Sequence, residues 1–251
     1  MTKIISIANH KGGVGKTTST ASIGVALANK GKRVLLIDLD PQANLTGLFL
    51  SEEEADTLSS VYHTLTKGEP LTQHEIKPNL YIAPSALELA KAEIEISGAM
   101  ARERILQKAI APIMGNYDYI LIDCPPSLGI ITTHALYSSD EVYIPLLSEA
   151  LSLKGISTLE DIIEAVREIN GKLTIGGVIL NRYDGRKNLS RQVEAGVRAR
   201  YGDKVFTTVI RDNVAVAEAP LHTEDIFSYA PKSFGAIDYA SLADEIISRN
   251  R

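Results

Sequence analysis

The opening of this chain limits its fold more than any other part. "KIISIANHKGGVGKTT", residues 3–18, sets an apolar run of strand length against a glycine-rich loop, and then a lysine and two threonines that open a helical pattern. Strand, glycine loop and helix in that order is the context a phosphate-binding loop requires. Gly12, Gly13 and Gly15 carry no Cβ, so backbone N–H groups can come close to phosphate oxygens. The helix that follows points its positive end at the same anion. Lys16 would then reach the β- and γ-phosphates, the Thr17 hydroxyl would ligate Mg²⁺, and Thr18 would bond the α-phosphate. A plain glycine turn without a ligand is the other reading of these residues.

The general pattern G-x-x-x-x-G-K-[ST] would begin with glycine at position 10, where this chain has His10. Lys11 follows that missing glycine and is in the wrong place to duplicate Lys16. Within a single chain it reads as a solvated surface lysine.

The rest of the chain alternates short apolar runs with longer amphipathic ones. The strand-like runs are "KIISIAN", "RVLLIDLD", "LYIAP", "YDYILIDCPP", "DEVYIPLL", "TIGGVILNR" and "KVFTTVI". Most are solidly apolar, as strands covered on both faces should be. Between them, residues 16–30 bring Ile23, Ala26 and Leu27 together and stop at Gly31. Residues 152–170 place Leu153, Ile156, Leu159, Ile163, Val166 and Ile169 at helical spacing and end before Gly171. Residues 235–250 also read as a helix, and residues 44–78 are the least regular part, with "SEEEAD" a solvated turn or helix start. The expected class is α/β, a mostly parallel twisted sheet with helices on both faces. With 251 residues, 45% of them hydrophobic, and no linker or repeat, one domain over residues 1–251 is expected.

Charge and composition exclude several functions. The net charge is −5, so any nucleic-acid surface must be a local patch. A single cysteine, Cys124, permits no internal disulfide and points to a reducing, cytoplasmic setting. The five histidines have no metal-ligand spacing. The first apolar stretch ends at His10-Lys11, too soon for a signal peptide, and no apolar run is long enough to span a membrane.

Three aspartates mark strand ends: Asp38 and Asp40 in "VLLIDLDPQ" and Asp123 in "YILIDCPPS". Ligands of open α/β sheets bind at the carboxyl ends of strands, so these groups should converge on the glycine loop. Asp123 has the position of the acidic residue that holds Mg²⁺ in P-loop nucleotidases. Asp38 and Asp40, two apart, share a strand face; one could sit near the metal and the other near an attacking water. Each alone would also suit a turn or helix cap.

Residues 182–212 hold eight basic and four acidic side chains, a local balance of +4. Lys187, Arg191 and Arg198 share one face of the expected helix, while Leu189, Val193, Val197 and Tyr201 form its apolar side. A solvated helix face and a phosphate-contacting one fit these residues equally.

"KGGVGKTT", "LIDLDPQAN", "LIDCPPSLG", "NRYDGR" and "NVAVAEAPLH", spread over nearly the whole chain, resemble in order the motifs of the ParA/Soj partitioning ATPases, a group with a deviant Walker A loop that includes MinD. The resemblance implies ATP and Mg²⁺ as cofactors and a nucleotide cradle of Lys11, Gly12, Gly13, Val14, Gly15, Lys16, Thr17 and Thr18. Lys11 resembles the signature lysine that reaches phosphates of a partner subunit in an ATP-bound dimer. Asp40 resembles the residue that positions the hydrolytic water, so Lys11, Lys16 and Asp40 are the implied catalytic set. Thr17, Asp38 and Asp123 are the implied metal set. Asn181, Arg211 and Asn213 resemble the adenine-binding stretches; Arg211 stands at a family proline, so a backbone contact is expected there. The resemblance also implies sequence-independent binding of double-stranded DNA, with Arg182, Arg186, Lys187, Arg191, Arg198 and Lys232 as candidates, and Arg249 and Arg251 extending the patch. Ala215 replaces a residue that is basic in many relatives. A ParB-type centromere-binding partner that speeds hydrolysis and a nucleoid-associated location complete the expectation.

Three other classes share the loop. A MinD-like membrane switch needs a basic amphipathic C-terminal helix, and "DYASLADEIISRNR" is partly acidic. An electron-transferring iron protein of the nitrogenase type needs two cysteines per subunit. A small-molecule ligase or kinase would need an acceptor pocket, for which no residue pattern stands out.

Overall fold

The computed structural model describes residues 1–98, 102–149 and 156–250. Seven strands form one sheet: β1 Lys3–Ile7, β2 Val34–Asp38, β3 His74–Lys77, β4 Leu80–Ala83, β5 Tyr119–Asp123, β6 Glu141–Leu147 and β7 Thr174–Asn181, in the order β3-β4-β2-β5-β1-β6-β7. All neighbours are parallel except β3 and β4. The solid apolar runs follow from burial on both faces, and the strand period of two divides them. Leu35, Ile37, Ile120 and Ile122 enter one apolar cluster; Val34, Leu36, Tyr119 and Leu121 enter the other.

Twelve α-helices are assigned among the described residues: α1 Lys16–Asn29, α2 Asn44–Phe49, α3 Glu52–Asp56, α4 Val61–Lys67, α5 Leu89–Glu95, α6 Ile105–Ile110, α7 Ile130–Ser138, α8 Ile156–Asn170, α9 Asn188–Tyr201, α10 Val214–Glu218, α11 Ile226–Tyr229 and α12 Phe234–Arg249. Helix α1 lies between the sheet and α12 and is buried on nearly every side. Gly24 permits this, since a Cβ there would stand 2.6 Å from a Leu36 methyl. The expected stop at Gly31 is present, at φ +78°, with the N–H groups of residues 30–32 closing on Leu27 and Ala28 carbonyls.

Three expectations change, and the least regular stretch resolves into short elements with "SEEEAD" an exposed helix start. "KVFTTVI" is not a strand. Phe206 and Ile210 donate N–H bonds to β7 at Val178 and Leu180, but the N–H groups of Thr207 and Thr208 between them go to the Glu245 carboxylate at 2.8 and 3.0 Å. A side chain from α12 thus interrupts the ladder. The irregular stretch 44–78 holds three short helices and the antiparallel edge strand β3. Ile169 is 61% exposed, so the buried stripe of α8 ends at Val166; Leu153 lies outside the described residues. On α9, Leu189 is 45% exposed and Ser190 takes its place on the packed face with Val193, Val197 and Tyr201.

Candidate functional site

The sheet brings the motifs together by register. Asp123 at the end of β5 pairs in register with Ile7 of β1 on one side and Asp38 of β2 on the other. The loop 8–15 leaves β1 at this point and turns over the strand ends into α1. Gly13 and Gly15 hold the left-handed conformation, φ +72° and +91°. Gly15 has a second reason to lack a side chain: a Cβ would stand 2.7 Å from the Asn181 amide nitrogen.

Both loop lysines are placed by the same backbone. The Asn9 side chain bridges to β6, donating to the Pro145 carbonyl at 2.8 Å and accepting the Lys11 N–H at 3.0 Å. The Lys16 ammonium donates to the Lys11 carbonyl at 3.4 Å. Lys16 is buried, and burial lowers its pKa against the pull of Asp123 and Asp40. Lys11 is half-buried, and among the described residues its ammonium has no carboxylate within ion-pair distance.

Thr17 donates its hydroxyl to Asp123 Oδ2 at 2.7 Å, and Thr20 donates to the other oxygen at 3.3 Å. Asp123 is fully buried, and burial together with the neighbouring Asp38 raises its pKa well above the usual carboxylate range. Asp38 is raised to about 6, chiefly by burial. Its oxygens accept the Asp40 N–H at 3.0 Å, the Thr46 N–H at 2.9 Å and the Thr46 hydroxyl at 2.7 Å. Asp38 is therefore engaged with the turn that carries Asp40 and with α2. Asp40, 8% exposed, accepts the Gln42 N–H at 3.0 Å.

This donor set suits a magnesium ion. A Thr17 lone pair could ligate the metal while its hydroxyl proton stays hydrogen-bonded to Asp123, and a dication would relieve the crowding of Asp123 and Asp38. No group of three His, Cys, Asp or Glu side chains able to hold a metal occurs among the described residues, so phosphate and water oxygens would have to fill the remaining positions.

Two hollows meet at the loop. A cleft of about 1060 Å³ is lined by the loop, Asp40, Thr46 and Ser85. A smaller hollow of about 210 Å³ lies beyond Gly13–Gly15 and is lined by Asn181, Arg211, Asn213 and Tyr239. The Asn181 amide donates to the Val14 carbonyl at 2.9 Å and to Ser19 at 3.3 Å, while its buried Oδ1 has no donor among the described residues. That orphan acceptor can receive an amino group. At 211, both the guanidinium and the N–H bind Asp238, and the side chain lies over the Phe234 ring, which leaves the carbonyl. The Asn213 side chain caps α10 through the Ala215 N–H.

Over the same residues the chain matches known proteins. Residues 2–175 match the AAA domain family. The chain is 44% identical over 250 residues to the sporulation initiation inhibitor protein Soj of Bacillus subtilis (strain 168), covering 98% of each. It is 43% identical over 256 residues to the chromosome partitioning protein ParA of Caulobacter vibrioides (strain NA1000 / CB15N), covering 99% of this chain and 95% of that one. The chain belongs to the Soj/ParA family. It is a P-loop ATPase. Among solved structures, cobyrinic acid a,c-diamide synthase from Mycobacterium smegmatis, with bound ADP and magnesium, has a TM-score of 0.86 at 35% identity, covering 98% of this chain and 94% of that one.

The basic candidates of this Soj/ParA member divide by structure. Arg186, Lys187 and Arg191 gather at the start of α9, and Arg186 and Lys187 both approach Asp184. Arg191 binds the Gly185 carbonyl and the Asn188 side chain. Arg182, at φ +52°, pairs with Glu149 and Asp212, and Lys232 is exposed before α12. Arg198 departs from this group: it is partly buried, pairs with Glu194 at 2.9 Å and donates to the Phe206 carbonyl at 3.3 Å. Arg249 likewise binds Glu245 and the carbonyls of Lys204 and Val205. Both fasten the 204–210 segment. Arg251 lies outside the described residues. Sequence reading did not single out Asn9, Thr20, Thr46 or Ser85, since no spacing rule joins them to the motifs they serve.

Proposed function

We propose that this ATPase, one domain over residues 1–251, partitions DNA through a nucleotide-dependent dimer. ATP with Mg²⁺ lies along the loop Lys11–Thr18, with adenine in the smaller hollow and its amino group on Asn181. Arg211 contributes its carbonyl there and Asn213 a wall. Lys16 neutralises the β- and γ-phosphates, Thr17 ligates the metal with Asp123 behind it, and Asp40 orients the attacking water. Asp38 acts by fixing the turn of Asp40. These groups position and neutralise, which is most of what phosphoryl transfer to water needs.

The observation that carries the dimer is Lys11. Its backbone is pinned at both its N–H and its carbonyl, yet its ammonium has no carboxylate partner among the described residues. A second subunit facing the same phosphates would supply a partner that the described residues of one chain do not. The dimer binds double-stranded DNA without sequence preference, through Arg182, Arg186, Lys187, Arg191 and Lys232, in association with the nucleoid of the cytoplasm. A ParB-type centromere-binding protein stimulates hydrolysis and release. A MinD-like membrane role is less well supported, because the apolar side of α12 (Ala236, Tyr239, Leu242, Ala243 and Ile246) is buried beside α1. No helix among the described residues is long and apolar enough to cross a membrane.

The deciding experiment measures DNA retention and molecular size together, with ATP, ADP and no nucleotide. A dimer that binds DNA only with ATP is expected, with log K falling against log salt at a slope of roughly −3 to −4 for about four phosphates per subunit. Equal binding in all three states would overturn the reading. ATP turnover that requires a small acceptor and ignores DNA would place the protein among ligases.

A further inference from the structure

Ser85 stands two residues beyond β4, whose neighbour is β2. It is 4% exposed, and among the described residues its hydroxyl has no hydrogen-bond partner. A buried hydroxyl left unpaired is disfavoured, and such groups in folded proteins usually await a water or a ligand. Ser85 lines the cleft that also holds Lys16, Thr17 and Asp40.

Its position is tied to theirs. The Ser85 N–H donates to the Thr46 hydroxyl at 2.9 Å, and that hydroxyl donates to Asp38 at 2.7 Å. The same carboxylate accepts the Asp40 N–H at 3.0 Å. One buried aspartate therefore sets the backbone of Asp40 directly and that of Ser85 through Thr46. Thr46 has spent its proton on Asp38 and accepts from Ser85. Within this chain of bonds, the Ser85 hydroxyl is the one left unengaged.

The geometry points to Ser85 as a second positioning residue for the attacking water. This rests on the reading of Asp40 as the residue that orients that water. The carboxylate of Asp40 accepts a hydrogen bond from one water O–H, the Ser85 hydroxyl oxygen accepts one from the other, and a lone pair is left facing the γ-phosphorus. The water oxygen then bonds to phosphorus, and the bond from phosphorus to the bridging oxygen breaks with its electron pair leaving on ADP. One water proton stays on the phosphate product and one passes to solvent. A hydroxyl suits this task where a second carboxylate would add charge beside three phosphates.

The test is Ser85→Ala beside Asp40→Ala in the full chain. Ser85→Ala should lower kcat roughly 10- to 100-fold with KM for ATP unchanged, the mark of an interaction made in the transition state. Its affinity for ADP with aluminium fluoride and Mg²⁺ should fall by a similar factor, while ADP affinity holds. The free variant should melt no lower than the parent, since only an unpartnered hydroxyl is lost. If Asp40→Ala abolishes turnover while Ser85→Ala changes neither kcat nor analogue affinity, the inference alone fails. If Asp40→Ala turns over normally, the reading beneath it fails. Parallel losses of ADP affinity and melting temperature in Ser85→Ala would assign the serine a structural role and overturn the proposal.

Discussion

Thr17 and Asp123, 106 residues apart in the chain, share a hydrogen bond of 2.7 Å at the start of α1 and the end of β5. The bond joins the first motif to the third and orients the Thr17 hydroxyl so that its lone pairs are free to face the cleft. Thr17→Ala should leave the fold intact and reduce the benefit of Mg²⁺ to ATP affinity. The expected loss is about 10-fold or more in Mg²⁺, in keeping with removal of the proposed metal ligand, and little in EDTA. Titration of a fluorescent ATP analogue with and without the metal checks this. An equal loss in both conditions would show that Thr17 serves the fold and not the metal.

Gly15 and Asn181 limit each other. Gly15→Ala would place a Cβ against the Asn181 amide and force a left-handed conformation on alanine. A cost of about 1–3 kcal/mol from the backbone is expected, with the contact adding to it. Chemical unfolding would measure that cost. Asn181→Ala relieves the contact, so the double variant should recover part of the loss. It should also distinguish ATP from GTP less well than the parent, because the Oδ1 proposed to accept the adenine amino group is gone.

His134 on α7 is fully buried, and among the described residues both ring nitrogens are unpartnered. Burial lowers its pKa from the ordinary 6.5 to about 4. A base with a depressed folded pKa adds stability above its unfolded pKa and loses it as pH falls through the folded one. Stability should therefore drop between about pH 6.5 and 4, by on the order of 3 kcal/mol from this group. His134→Leu should be more stable at neutral pH by about 1–3 kcal/mol and lack this part of the acid loss. Urea unfolding across the pH range gives both quantities. A variant with the parent's acid profile would show that other groups control it.

The loop, the acidic strand ends and six of the seven strands were legible because each is local. A run of apolar residues ending in Asp and a glycine cluster before a lysine are patterns within ten residues. What sequence could not show depends on distant partners. "KVFTTVI" has strand composition, but Glu245, some forty residues away, takes the N–H groups a strand would need. Arg198 shares the face of Lys187 and Arg191 by spacing, yet Glu194 and the Phe206 carbonyl draw it into the body. Thr46 and Ser85 carry no motif and matter only because α2 and the end of β4 close around Asp38.

The division of the arginines can be measured. Lys187→Glu with Arg191→Glu should weaken DNA binding and reduce the salt slope by about 2, near one counterion for each lost contact. Nucleotide affinity should not change. Arg198→Ala should leave the salt slope alone and cost about 1 kcal/mol of stability, because it pairs with Glu194 and supports the 204–210 segment. Filter binding over a salt series and urea unfolding separate the two effects. A lower slope in Arg198→Ala would return that residue to the proposed DNA surface.

Lys11→Ala tests why the loop has two lysines. Lys16 is buried in the loop and is the lysine proposed to neutralise the phosphates within one chain, so ATP affinity should depend mainly on it; Lys16→Gln should lose tight binding, by about 100-fold or more. The Lys11 side chain makes no ion pair among the described residues, and its backbone bonds survive truncation to alanine. The variant should therefore fold and bind ATP within about 3-fold of the parent, since a solvated charge contributes little within one subunit. It should nevertheless remain monomeric with ATP, fail to retain DNA and hydrolyse slowly. Size-exclusion chromatography with light scattering in ATP provides the readout. A dimer of parental stability from Lys11→Ala would remove the observation on which the dimeric reading stands.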